Sequence, residues 1–162
     1  VLKNDGSEDI HHEVSTANAA VAVLELSDPS LKIHPTALAA INVMEKAQKV
    51  GTIEEKERFL TSVISALDKN PEIQSSKVMA HARALRAQLF LETRQLGMAR
   101  EDIMVATQID PSHSTAYRIL AGIEESNHNK PAAIAALSKW ADTNPSFRSK
   151  VSSEIARLRG MP

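Results

Sequence analysis

Asp110-Pro111 and Asn144-Pro145 stand 34 residues apart, and each follows a stretch of helical apolar spacing. The residue before a proline is pushed out of the α region, so each dipeptide ends a helix. Ala99 and Ala133 repeat the interval, again 34 residues apart. A fixed period of that length marks a chain that stacks one helix–turn–helix unit on the next, because a lone unit cannot bury its apolar face.

Composition agrees with that reading. Hydrophobic residues make up 43% of the 162 but aromatics only 3%, so the core must be built from Ala, Leu, Ile, Val and Met. Small side chains let helices lie close together, and only five glycines interrupt the chain. The fold class that follows is all-α, with about eight helices joined by short turns and paired antiparallel.

Residues 1–12 are polar and read as a flexible N-terminal arm. From Glu13 to Leu26 the apolar residues Val14, Ala17, Val21 and Leu24 fall on one helical face, and Asp28-Pro29 stops that helix. Pro35 opens the next, with Ala37, Ile41, Met44 and Ala47 inward and Gly51 at its end. Thr52 and Glu55 have the spacing of a capping box, ahead of Leu60, Val63, Ile64 and Leu67. Ser75 or Ser76 caps a long helix carrying Val78, Ala82, Leu85 and Leu89. Gly97 breaks the chain before a helix from Met98 to Ile109, and Ser114 caps the one after it. Pro131 opens a helix with Ala133, Ile134, Leu137 and Trp140 inward, and Ser146 caps a last one along Phe147, Val151, Ile155 and Leu158.

From Ser75 to Pro145 the chain resembles the tetratricopeptide (TPR) repeat family. Ala87, Phe90, Ala99, Ile103, Ala106 and Pro111 occupy the motif places of one repeat, and Tyr117, Leu120, Ala121, Ala133, Leu137 and Pro145 those of a second. The departures are specific. Arg83 and Arg86 stand where a bulky aromatic and a leucine are usual, which predicts that this helix meets something other than a standard preceding repeat. Glu124 replaces an aromatic, and Trp140 stands where a small residue is expected, filling a gap against the last helix. The resemblance implies a right-handed α-solenoid with a degenerate helical region at 13–74, two repeats at 75–145 and a C-terminal capping helix and tail at 146–162.

The resemblance also implies where work is done. In such arrays the first helix of each unit lines a concave groove, here with His81, Ala84, Gln88, Leu91 and Glu92, then Thr115, Arg118, Gly122, Glu125 and Ser126. His81, Gln88, Glu92, Arg118 and Glu125 are the candidates for orienting a protein or peptide partner by hydrogen bonds and charge. The family's two-carboxylate clamp for chaperone tails uses Lys, Asn and Arg, and only Arg118 matches, which argues against that ligand.

Other chemistry finds little footing. There is no cysteine, which excludes disulfides and Cys-containing zinc sites. His11 and His12 adjoin Glu13 on the arm, and the other histidines stand singly. Paired acids at Glu54-Glu55, Glu101-Asp102 and Glu124-Glu125 read as the wet faces of amphipathic helices. No glycine-rich phosphate loop, nucleophile elbow or H-E-x-x-H occurs, so the expectation is a non-enzymatic chain without cofactor or metal.

No apolar run approaches the ~20 residues of a membrane helix, which predicts a soluble chain. A start at Val1 rather than Met leans the reading towards an organelle reached after removal of a leader. Residues 1–74 carry a net charge of −5 and residues 75–162 of +4. The last helix is basic at Arg148, Lys150, Arg157 and Arg159. Three functions remain open: a protein-interaction scaffold, a subunit of a larger complex, and an RNA-contacting factor using those four residues, the last disfavoured by the lack of stacking aromatics.

Overall fold

The computed structural model describes residues 34–49 and 51–160. The arm, the helix expected from Glu13 to Leu26, its Asp28-Pro29 stop and the last two residues lie outside them. Among the described residues there are seven α-helices and no strand: α1 (Pro35–Lys49), α2 (Ile53–Asp68), α3 (Lys77–Glu92), α4 (Leu96–Ile109), α5 (Ser114–Ser126), α6 (Lys130–Thr143) and α7 (Arg148–Gly160). A 3-10 turn, Pro145–Phe147, precedes α7. Between Ala82 and Arg83, inside α3, the chain divides into two compact units.

In the first unit, α1 packs on α2. The junction is built by Gly51, Thr52 and Glu55. Gly51 turns the chain with φ +82, and a Cβ there would strike the Glu55 carboxylate. Thr52 Oγ1 accepts the Glu55 N–H at 3.2 Å, and Glu55 Oε2 accepts the Thr52 N–H at 3.1 Å, completing the capping box. Below it Ala37, Ile41, Met44 and Ala47 meet the need for an apolar stripe on α1, and Leu60, Val63, Ile64 and Leu67 on α2; all are buried. Each larger side chain stabilises the pair by ~1.5–3 kcal/mol. Asn70-Pro71 ends α2, Ile73 is buried in the turn, and Ser76 Oγ caps α3 by accepting the Met79 N–H at 3.4 Å.

In the second unit each helix from α4 onward packs on the next. Its backbone repeats. Arg94 and His128 both have positive φ (62 and 57), and they lie 34 residues apart. At the first, Gln95 N–H donates to Phe90 O at 2.7 Å and Arg94 N–H to Leu91 O at 3.1 Å. At the second, Asn129 N–H donates to Glu124 O at 2.8 Å and His128 N–H to Glu125 O at 2.9 Å. Both are Schellman closures, which use up the last carbonyls of a helix. Asp110 and Asn144 end α4 and α6 with similar dihedrals (φ −129, ψ 88 and φ −142, ψ 83), and the side chain of each accepts from a serine hydroxyl two residues on.

The small residues carry the crossings: Ala87, Ala99, Ala106 and Ala133 are 0% exposed and Ala121 5%. Trp140 joins Ala121, Ala133, Leu137, Val151 and Leu158 in one core cluster, so it does fill space against α7. Phe147 stacks on it with centroids 5.0 Å apart, although the residue as a whole stays 36% exposed.

Several local expectations need correction. The reversal before α4 is made by Arg94, not Gly97, which lies inside the first turn of α4. His113 rather than Ser114 caps α5. Ser146 lies in the 3-10 turn ahead of α7 and bonds Asn144. Asp102 and Glu124, read from sequence as wet, are each 2% exposed.

Candidate protein-binding face

The second unit brings parts of α3 and α5 together. A Cβ on Gly122 would sit 3.0 Å from Leu91 Cδ2, so the two helices approach closely at that point. On α5 the residues Thr115, Arg118, Gly122 and Glu125 step by three, four and three, which places them on one face. Thr115 and Arg118 are exposed, and Gly122 and Glu125 half-buried. On α3, Gln88 is half-buried and donates from Nε2 to Glu92 Oε1 at 3.0 Å, while Glu92 is exposed. Ala84, expected to line the same face, is buried at 1%. His81 is half-buried and belongs to the first unit.

Charge in this unit is held by carboxylates that the sequence pattern had placed in water. Asp102 on α4 accepts from Arg83 Nη1 at 3.0 Å and, in a two-pronged grip, from Arg86 Nε at 2.7 Å and Nη2 at 2.8 Å. The two arginines are only 20% and 16% exposed at the side chain. Arg86 also lies over the Phe90 ring, 5.5 Å from its centroid. Both arginines thus reach the second helix of their own pair, at Asp102. Glu124, on α5, accepts from Arg100 Nε of α4 at 3.1 Å.

Glu125 is already engaged. Its Oε1 lies 2.8 Å from Arg157 Nη2 of α7, and Arg157 also binds Glu154 at 2.9 Å. These bonds, that to Glu125 first, hold the Arg157 guanidinium above its ordinary pKa. One expected groove residue and one expected member of the basic patch therefore meet each other. The patch does not form a single surface either. With 3.6 residues per turn, Arg148 and Arg159 point to one side of α7, and Lys150 and Arg157 to a side roughly 180° away.

Two depressions lie on the first unit. One of about 570 Å³ is lined by Thr36, by Thr61 and Ser65 of α2 and by Lys69 just past its end, and one of about 420 Å³ by Glu55, Arg58 and the exposed Phe59. Neither is lined by an expected groove residue. Among the described residues no group of three or more His, Cys, Asp or Glu side chains is placed to hold a metal ion, and no helix is long and apolar enough to cross a membrane.

No family model matches the chain, and neither a curated protein nor a solved structure matches it.

Sequence reasoning missed the Asp102 cluster although its residues were in view. Arg83 and Arg86, three apart on an otherwise apolar face, signal a buried acid nearby, since a buried guanidinium is seldom left unpaired.

Proposed function

We propose that the chain is a TPR-like, right-handed α-solenoid that acts as a non-enzymatic scaffold, holding a peptide or protein segment on a groove lined by α3 and α5. The observation that carries this reading is the 34-residue recurrence in the backbone: the Arg94 and His128 closures and the Asp110 and Asn144 terminations share one interval. Helix pairs repeated in that way would create a series of equivalent first helices, a reading supported by the approach of Leu91 on α3 to Gly122 on α5. Arg118 and Glu92 supply the exposed charge of that face, and Gln88 steadies Glu92. Glu125 serves instead as a strut to α7.

Binding on such a face relies on complementarity rather than chemistry, with the rigid stack presenting its side chains already in place. The test is capture of partners from an extract by the folded chain, compared with a variant carrying Arg118→Ala and Glu92→Ala. The expected outcome is loss of specific captured proteins. An unchanged set would place binding elsewhere, on the outer faces or the arm of a complex subunit. The RNA reading loses support from the engagement of Arg157 and from the split of the four basic residues between two sides of α7.

A further inference from the structure

The turn between α4 and α5 holds a titratable group with a structural task. His113 precedes α5 with extended backbone (φ −73, ψ 90), and its Nδ1 accepts the Ala116 N–H at 3.2 Å. The same N–H also reaches the His113 carbonyl oxygen at 3.1 Å. An imidazole that accepts at Nδ1 must carry its proton on Nε2, so this is the neutral ring. The half-buried ring lies within reach of the charge of Asp110, at the end of α4. Asp110 is itself occupied, accepting the Ser112 N–H at 3.1 Å and the Ser112 hydroxyl at 2.6 Å. On the α5 side, Tyr117 donates to the Pro111 carbonyl at 2.8 Å, tying the helix to the same turn.

We propose that His113 is an acid-sensitive cap, whose neutral ring holds the first turn of α5 and whose protonated ring releases it. A proton taken from solvent by Nδ1 turns the acceptor into a donor, facing the Ala116 N–H it had bonded. The ring must then swing away. The new cation also sits at the positive end of the α5 dipole, where positive charge is unfavourable. Burial disfavours the charged ring and outweighs the attraction of Asp110 and of the backbone, so protonation comes at lower pH than for a free histidine. The loosened turn carries Thr115 and leads into Arg118, so acid would weaken partner binding on that face; only this consequence rests on the function proposed above.

The test reads the cap directly. Amide protection at Ala116, corrected for intrinsic exchange, is followed with the His113 ring signal by NMR from about pH 8 to about pH 5. Wild type should lose roughly fivefold in protection as the ring titrates, the size of a lost N-cap. His113→Asn keeps a capping oxygen and cannot titrate, so its protection should stay level. His113→Ala should show the low value throughout. A fall in His113→Asn equal to that in wild type, titration of the ring with Ala116 unchanged, or full protection in His113→Ala would each overturn the proposal. These outcomes are independent of whether the face captures a partner.

Discussion

Replacing Asp102 by alanine probes the joint between α3 and α4. The carboxylate is 2% exposed and receives three charged hydrogen bonds from two arginines that are themselves mostly buried. Its removal takes from both guanidinium groups the carboxylate they share, and the Arg83 Nε, which has no hydrogen-bond partner among the described residues, gains none. Breaking one side of a buried ion cluster destabilises by ~3–5 kcal/mol. Against a typical total of ~5–15 kcal/mol, that is a large share of the stability. Arg86→Ala should come close to this loss, since it removes two of the bonds and the contact with Phe90. Arg83→Ala removes one bond and should cost less. Urea unfolding of the three variants followed by circular dichroism measures the order, and a double-mutant cycle on Arg86 and Asp102 isolates the coupling. Changing all three residues to apolar ones of similar volume should recover much of the stability, because no charge is left unpaired. An Asp102→Ala variant within ~0.5 kcal/mol of wild type, the range of an ordinary surface change, would refute the reasoning.

Arg94→Gly should stabilise by roughly 0.5–1 kcal/mol, because Arg94 pays the left-handed penalty at φ 62 that glycine avoids; a lower urea midpoint would contradict this. Thr52→Ala should lose about 1 kcal/mol by opening the capping box, and an unaltered midpoint would remove the cap from the account of α2. Ala121→Trp should overpack the α5–α6 crossing by roughly 1–3 kcal/mol, and an unshifted melting temperature would contradict the packing there. Stability should also fall in mild acid. The folded-state pKa of His113 is held below the ordinary 6.5, chiefly by burial, so the unfolded chain binds the proton first. The contribution is full above about pH 6.5 and is lost as pH falls through the lower folded-state value. Melting His113→Asn beside wild type at several pH values checks this, and identical pH dependence in both would remove His113 as its source.

The helices were legible because apolar periodicity and terminators act locally. The stripe from Leu60 to Leu67, the capping box at Thr52 and the stops at Pro111 and Pro145 each depend on neighbours within one or two turns. Arg94 was not legible as a reversal, because its left-handed backbone is imposed by the Schellman bonds around it, against the preference of the residue. Asp102 and Glu124 were misread for another reason. Each shares its dipeptide with an acid that is far less buried, Glu101 or Glu125, and only the three-dimensional position of Arg83, Arg86 and Arg100 tells the members apart. The candidate face was readable as a list of side chains but not as a state of engagement, since Glu125 and Arg157 meet across 32 residues of sequence.

Small residues and ion pairs divide the work of assembling the second unit. Alanine at a crossing permits close approach but tolerates sliding along the helix, because one buried methyl group resembles the next. A carboxylate enclosed at Asp102 or Glu124 tolerates no such shift: it must find its guanidinium within about 3 Å or remain charged and unpaired. Asp102 fixes α3 to α4, Glu124 fixes α4 to α5, and Glu125 fixes α5 to α7. The buried members penalise wrong registers more than they stabilise the right one, as expected where ion pairs replace apolar contacts. Glu125 and Arg157, 39% and 44% exposed, are screened by solvent and add little to stability. Their effect is to hold one end of the candidate face against α7, so that Arg118 and Gly122 are offered on a helix anchored at both ends.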